Sequence, residues 1–167
     1  MTRSIRYLAA VLGSLGILFA AIFSNAEEAD AAGSAVPFTA TWSGTVAVTG
    51  PTTFTFDGSG VSDPMGPITA HGAAKVTGLG LSCLGGLVNT NVETLQAADG
   101  SLTITSLDVG CVTGVGKFHG TGTWTVTGGT GRYRNATGSG SLDGRVNIIA
   151  GTSKLVANGH LVLRSLP

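Results

Sequence analysis

Beyond residue 36, apolar and polar side chains alternate with a period of two along most of the chain. Phe38, Trp42 and Val46 lie at even positions, whereas the odd positions of the same run carry mostly threonine and serine. The same alternation recurs in residues 117–127, 136–148 and 155–163, and less regularly in residues 52–57, 68–77, 88–97 and 101–109. No window has the 3.6-residue period of an amphipathic helix. Because a period of two is typical of strands with one buried and one solvated face, the pattern predicts about eight strands.

Turn-forming residues separate the predicted strands. Asp99-Gly100 is typical of a two-residue hairpin, because such a turn needs a positive φ that glycine adopts without a steric clash. We interpret Asp57, Asp99 and Asp143, each followed by glycine, as turn residues. Further breaks are expected at Gly50-Pro51, Asp63-Pro64 and Gly151-Thr152. Short turns without a linker predict a single all-β domain, either an antiparallel barrel of about eight strands or a sandwich.

The glycine content favours the barrel. Glycine accounts for 27 of 167 residues, and many glycines fall on the apolar face of predicted strands, namely Gly44, Gly72, Gly120, Gly122, Gly138, Gly140, Gly144 and Gly159. Inward glycines allow strands to coil sharply and remove bulk from a crowded interior. The same face carries five large rings, which we predict to line the lumen: Trp42, Phe54, Phe56, Phe118 and Trp124. An eight-stranded barrel is just wide enough to be filled by side chains or to hold one small ligand, and both alternatives remain open.

Charge and the scarcity of reactive patterns exclude several functions. Lys and Arg number 9, as do Asp and Glu, so the composition offers no basic surface for nucleic acid. We expect no metal site and no cofactor, since the three histidines are scattered on the predicted polar face and no phosphate-binding loop is present. Asp108 lies at an even position, as do Leu102 and Ile104, and is therefore predicted on the same face of the strand. It is the one candidate catalytic base if it faces inward; alternatively, the strand ends or bulges by Ser106 and Asp108 has no such role.

The N-terminus predicts export. Residues 1–26 combine two arginines, an uncharged apolar stretch and a small-residue cleavage site, as a signal peptide does, although an uncleaved anchor is an alternative. Residues 27–36 then form a flexible leader and residues 37–167 the barrel domain. The protein is expected to be secreted or periplasmic and, after cleavage, free of the membrane. Because disulfides persist outside the cytoplasm, we predict that Cys83 and Cys111 are paired rather than free thiols.

One segment, residues 120–138, carries a family resemblance. Within it, Gly128, Gly129, Gly131, Arg132 and Tyr133 form a glycine-rich hairpin followed by a basic and an aromatic residue. This run resembles the superfamily of allene oxide cyclase-like and dirigent-like β-barrels, particularly its secreted bacterial members. The resemblance implies an eight-stranded antiparallel barrel with an apolar interior that often forms homo-oligomers. The first strand of dirigent proteins carries an aspartate, whereas residues 38–43 here contain no carboxylate, so that active site is not carried over.

Three functions fit these observations. The first is a secreted, non-enzymatic barrel that binds a small apolar molecule in its lumen. The second is a cyclase-, isomerase- or dirigent-like enzyme that acts on an apolar substrate in the lumen and needs an inward polar group such as Asp108. The third is a structural module that associates with itself through its threonine-rich outer face or a sheet edge.

Overall fold

The computed structural model describes residues 33–83 and 85–164, which form a closed antiparallel barrel. Its eight strands are β1 (Ser34–Val48), β2 (Thr53–Asp63), β3 (Gly66–Gly80), β4 (Gly86–Ala97), β5 (Gly100–Gly114), β6 (Lys117–Gly129), β7 (Thr137–Asn147) and β8 (Thr152–Leu163). Each strand pairs with the next in sequence, and β8 pairs with β1. The predicted fold class is therefore confirmed. The signal peptide at residues 1–26 and the leader up to residue 32 lie outside the described residues, and β1 begins three residues before the predicted start of the barrel.

Two of the three predicted aspartate turns were wrong. Asp57 lies within β2 and Asp143 within β7, and both side chains are on the outer face. The Asp57 carboxylate hydrogen-bonds His71 on β3, and Asp143 Oδ2 lies 2.7 Å from Nε2 of His119 on β6. The glycine after Asp57 serves a close approach of two strands, since a Cβ at Gly58 would lie 2.6 Å from the Ser43 carbonyl oxygen. Asp99 does occupy the turn between β4 and β5.

One end of the barrel, which we call the packed end, is filled by large side chains. Phe38 and Trp124 meet edge to face with ring centroids 5.1 Å apart, and Trp124 donates its indole N–H to the Ser141 carbonyl at 3.0 Å. A 3₁₀ turn (Gly131–Tyr133) between β6 and β7 inserts the fully buried Tyr133 into this end. The other buried apolar residues of this core include Ile68, Leu95, Leu102, Ile104 and Leu161.

The hairpin segment of the family resemblance closes the packed end. Gly131 adopts a φ of 55°, and a Cβ there would lie 2.2 Å from the Asp99 carbonyl oxygen. Arg132 Nη1 and the Tyr133 hydroxyl approach Asp99 Oδ2 at 3.4 and 3.3 Å. The glycine therefore allows the 3₁₀ turn to lie directly on the β4–β5 hairpin. These residues have a structural role at the end of the barrel.

The opposite end, which we call the mouth, consists of the β1–β2, β3–β4, β5–β6 and β7–β8 turns. A disulfide joins Cys83 in the β3–β4 turn to Cys111 on β5, with a Cα–Cα distance of 5.9 Å. The predicted pairing is thus confirmed. The disulfide therefore holds the β3–β4 turn against β5 at the mouth of the barrel.

Candidate functional site

A cavity of about 90 Å³ occupies the half of the lumen nearest the mouth. On this scale one water molecule needs roughly 10–15 Å³, so the space suits several waters or one small organic molecule. The barrel is therefore packed at one end and hollow at the other. The cavity is lined by Phe54, Phe56, Ala74, Val76, Leu87, Asn89, Asn91, Glu93, Asp108, Gly110, Phe118, Gly120, Leu142, Gly144, Val146, Ile148 and Leu155.

The five aromatic residues predicted to line the lumen divide between these two halves. Phe54, Phe56 and Phe118 border the cavity. Trp42 and Trp124 are instead buried in the packed core, with 3% and 1% of their surface exposed. All five point inward as the alternation requires, but their heights along the barrel differ, and only the three phenylalanines could touch a molecule in the cavity.

A row of three glycines keeps one wall of the cavity free of side chains. Gly110 on β5 is the cross-strand partner of Gly120 on β6, and Gly120 is in turn the partner of Gly144 on β7. A Cβ at Gly144 would meet nothing closer than Leu155 Cγ at 3.7 Å, so the backbone of Gly144 borders unoccupied space in the cavity. The row therefore accounts for much of the hollow beside the phenylalanine rings.

Asp108 belongs to a polar cluster within the cavity. Its carboxylate accepts hydrogen bonds from two side-chain amides, from Asn89 Nδ2 at 2.9 Å and from Asn91 Nδ2, and Asn91 Nδ2 also donates to Ser106 Oγ at 2.8 Å. The alternative that the strand ends before this point was wrong, because β5 continues to Gly114 and its irregularities toward β6 lie at residues 103–104 and 112–114. Burial raises the pKa of the Asp108 carboxyl, and the amide donors partly oppose the shift because they favour the charged form.

Glu93 is the second acidic group of the cavity. The residue is 2% exposed, and neither carboxyl oxygen has a hydrogen-bond partner among the described residues. Burial, reinforced by the negative charge of Asp108, raises the pKa of the Glu93 carboxyl to about 8. At neutral pH this side chain is therefore mostly protonated. The cavity thus combines a largely neutral acid in its interior with a second acid held by amide donors.

Sequence reasoning missed Glu93, although a usable signal was present. The hairpin at Asp99 sets Ala97 opposite Gly100, and the same register places Glu93 opposite Ile104, Asn91 opposite Ser106 and Asn89 opposite Asp108. Because cross-strand partners point to the same face, the inward parity of Ile104 brings these polar residues inward as well. Alternation alone failed on β4, since both of its faces mix apolar and polar residues.

The histidines lie away from the cavity. His71 and His160 are exposed on the outer face, and His119 is partly exposed beside Asp143. Within residues 33–83 and 85–164, no three histidine, cysteine or acidic side chains come together as metal ligands would. In the same part of the chain, no helix is long and apolar enough to cross a membrane.

The fold and the cavity define a class: a closed eight-stranded antiparallel barrel with a mainly apolar internal cavity that contains two acidic side chains. Comparison with models of known protein families and with curated proteins found no match to this chain.

Proposed function

We propose that the protein binds a small, mainly apolar molecule inside the barrel. The observation that carries this proposal is the cavity beside Phe54, Phe56 and Phe118, which the glycine row leaves open. Burial of apolar groups contributes about 0.8 kcal/mol per CH₂, so a seven-carbon molecule such as toluene gains roughly 5 kcal/mol. That free energy corresponds to a Kd on the order of 0.1 mM. Larger natural ligands would make further contacts at the mouth.

Filling the cavity tests this proposal. Gly144→Ile places a branched side chain in the open space, whereas Gly144→Ala adds one methyl group at an ordinary contact distance from Leu155. We expect toluene to bind the isoleucine variant at least tenfold more weakly than the wild-type protein. Binding is measured from the shifts of methyl resonances in NMR spectra as toluene is added. The alanine variant is the control and should stay within a few-fold of wild type. Equal toluene binding by the isoleucine variant, or none by wild type, would refute the proposal.

Export and family membership belong to the same proposal. The apolar segment and cleavage site in residues 1–26 support secretion, and the Cys83–Cys111 disulfide is typical of proteins that mature outside the cytoplasm. The eight-stranded barrel is the fold that the resemblance of residues 120–138 implies. We therefore propose that the chain is a secreted relative of the allene oxide cyclase-like and dirigent-like barrels. Mass spectrometry of the mature protein, with an N-terminus after Ala26, is the measurement that checks the export step.

A second candidate function is acid–base chemistry in the lumen, as in a cyclase or isomerase. The inward, buried position of Asp108 favours it, because that hypothesis requires a polar group inside the barrel. Burial raises the pKa of both acids, with amide donors opposing the shift only at Asp108, and buried acids with a raised pKa are common at catalytic sites. The test is to incubate a compound extracted from the lumen with fresh protein. Conversion that disappears in Asp108→Asn would support catalysis, and unchanged recovery of the compound would leave binding alone.

A further inference from the structure

The titratable side chains that line the cavity are both acidic. Within residues 33–83 and 85–164, its titratable lining residues are Glu93 and Asp108, and no lysine, arginine or histidine lines it. Asp108 is supplied with two amide donors, whereas both oxygens of Glu93 are buried without a donor. Buried polar atoms are nearly always paired in folded proteins, so an unpartnered carboxyl beside a cavity marks the place where a ligand donor would be accepted.

We propose, on the basis of the lumen-binding function above, that the cavity selects small aromatic amines. The ammonium group would lie against the carboxyl of Glu93, with the Asp108 carboxylate adding to the attraction. The ring would pack among the three phenylalanines, whose faces also attract cations. A cation beside it favours the charged form of Glu93, so binding releases the proton of that carboxyl to solvent and leaves an ammonium–carboxylate pair in the cavity.

Among the residues that the structure describes, no positive charge competes for Glu93. On β3 its cross-strand partner is Gly72, and on β5 its partner is Ile104, with Ser106 and then Asp108 following along the same face. Lys117, Arg145 and Lys154 are exposed on the outer face near the mouth. Exposed charges are screened over about 10 Å at ordinary ionic strength, whereas the buried carboxyls act at contact distance in a dry site.

The test compares benzylamine with toluene and benzyl alcohol by isothermal titration calorimetry. We expect benzylamine to bind at least tenfold more tightly than toluene at pH 8, and its affinity to rise by up to tenfold per pH unit between pH 6 and 8. Titrations in buffers of different ionisation enthalpy should show release of nearly one proton per benzylamine at pH 7. Toluene affinity should not depend on pH.

Glu93→Gln is the matched variant, because it keeps the shape of the side chain and removes its negative charge. Loss of the benzylamine preference with toluene binding retained would support the inference and show that the variant is folded. If wild type binds toluene and benzyl alcohol as tightly as benzylamine, or binds benzylamine without proton release, the inference is overturned while the proposed function stands. Binding of none of the three compounds would overturn both.

An independent observation concerns the mouth, where the turns and the adjoining end of β3 expose large aliphatic side chains. Leu79 and Leu81 are 79% and 100% exposed, and Val115 and Ile149 are 86% and 71% exposed. Part of the mouth is held together by backbone hydrogen bonds: Ile148 N–H donates to the Gly116 carbonyl at 2.9 Å, and Val46 N–H of β1 donates to the Gly151 carbonyl at 3.0 Å. We call these four aliphatic residues the mouth rim.

Positive charge accompanies the mouth rim. Lys75, Lys117, Arg145 and Lys154 are exposed on the strand ends nearest the mouth. Arg145 and Lys154 are direct cross-strand partners, and like charges placed directly opposite each other destabilise a sheet. The equal totals of acidic and basic residues in the whole sequence do not reveal this local concentration of positive charge.

We infer that the mouth docks on an anionic lipid surface. Aliphatic side chains that enter the headgroup region, flanked by lysine and arginine, are a common way for proteins to bind such surfaces. In this orientation the cavity would open toward the lipid, where apolar molecules partition.

Vesicle sedimentation tests the docking. We expect the protein to bind vesicles of phosphatidylcholine and phosphatidylglycerol at least tenfold better than phosphatidylcholine alone, with binding weakened by salt. Leu81→Ser together with Ile149→Ser should abolish binding. Val61→Ser is the control, since Val61 is 63% exposed on β2 at the end opposite the mouth. No preference for anionic vesicles, equal loss in the control, or a dimer in solution that the double variant dissociates would overturn the inference.

Discussion

Replacement of Glu93 by glutamine is expected to change how the stability of the barrel depends on pH. The folded state keeps the Glu93 proton up to a pKa of about 8, whereas an unfolded chain loses it near 4.5. Between these values the folded state binds one proton more, so the free energy of unfolding falls as pH rises. Each pH unit corresponds to about 1.4 kcal/mol, which gives a loss of about 5 kcal/mol between pH 4.5 and 8.

This loss is large beside the roughly 5–15 kcal/mol that stabilises a typical domain. Glutamine cannot lose a proton, so the variant should lack most of the slope. A smaller decline should remain because burial also raises the pKa of Asp108, and its sign is the same. The variant should therefore be several kcal/mol more stable than wild type at pH 8, with the two closest in stability near pH 4.5.

The assay is urea denaturation of the disulfide-bonded protein, followed by tryptophan fluorescence at pH 4.5, 6, 7 and 8. Asp63→Asn is the control, because it removes an exposed carboxylate that forms no ion pair with the described residues, and the slope should stay as in wild type. An equal fall in the free energy of unfolding of Glu93→Gln and wild type between pH 4.5 and 8 would refute this prediction. A parallel loss would mean that Glu93 ionises in the folded state as readily as in the unfolded chain.

Two further predictions concern the two ends of the barrel. Cys83→Ala combined with Cys111→Ala should lower the free energy of unfolding by about 3–4 kcal/mol, because the cross-link closes a loop across a sequence separation of 28 residues; an unchanged urea midpoint would contradict this. Phe38→Ala, at a fully buried site of the packed end, should cost about 3–5 kcal/mol. Phe118→Ala should lower the free energy of unfolding by less than half as much, since the partly exposed Phe118 ring already borders the cavity. Equal losses of stability in the two variants would argue against a cavity in the half of the lumen nearest the mouth.

The alternation of apolar and polar residues predicted which side chains point into the barrel, but not their positions along the barrel axis. Parity placed Trp42, Trp124 and Phe118 inside, which is where they lie. Whether each ring fills the packed end or borders the cavity depends on strand register and closure, which bring Phe38 onto Trp124 and leave Phe118 beside Gly120 and Val146. These are contacts between distant parts of the chain, so a local pattern cannot contain them. For this reason the choice between a packed and a hollow lumen stayed open, and the structure has both.

The aspartate–glycine pairs failed for a related reason. Asp57-Gly58 and Asp99-Gly100 are the same dipeptide, yet the first lies within β2, whereas in the second Asp99 lies in the turn and Gly100 begins β5. At Gly58 the need is space for the neighbouring strand, whereas Gly100 has a φ of 147° that few other residues adopt. Both needs select glycine, so the local sequence does not distinguish them, and the distinction comes from the partner strand.

The position of Glu93 connects stability with the proposed ligand. A leucine or glutamine there would remove a buried ionisable group that weakens the fold as pH rises, and substitutions that stabilise proteins in this way are commonly found. Stability alone therefore gives no reason for an unpartnered acid beside the cavity. An amine ligand gives a reason for this acid. The negative charge of Glu93, which destabilises the empty barrel, becomes the partner of a cation when the ligand is bound. It follows that the pH-dependent loss of stability should shrink when benzylamine is bound and should be unaffected by toluene, since only the amine stabilises the ionised form of Glu93.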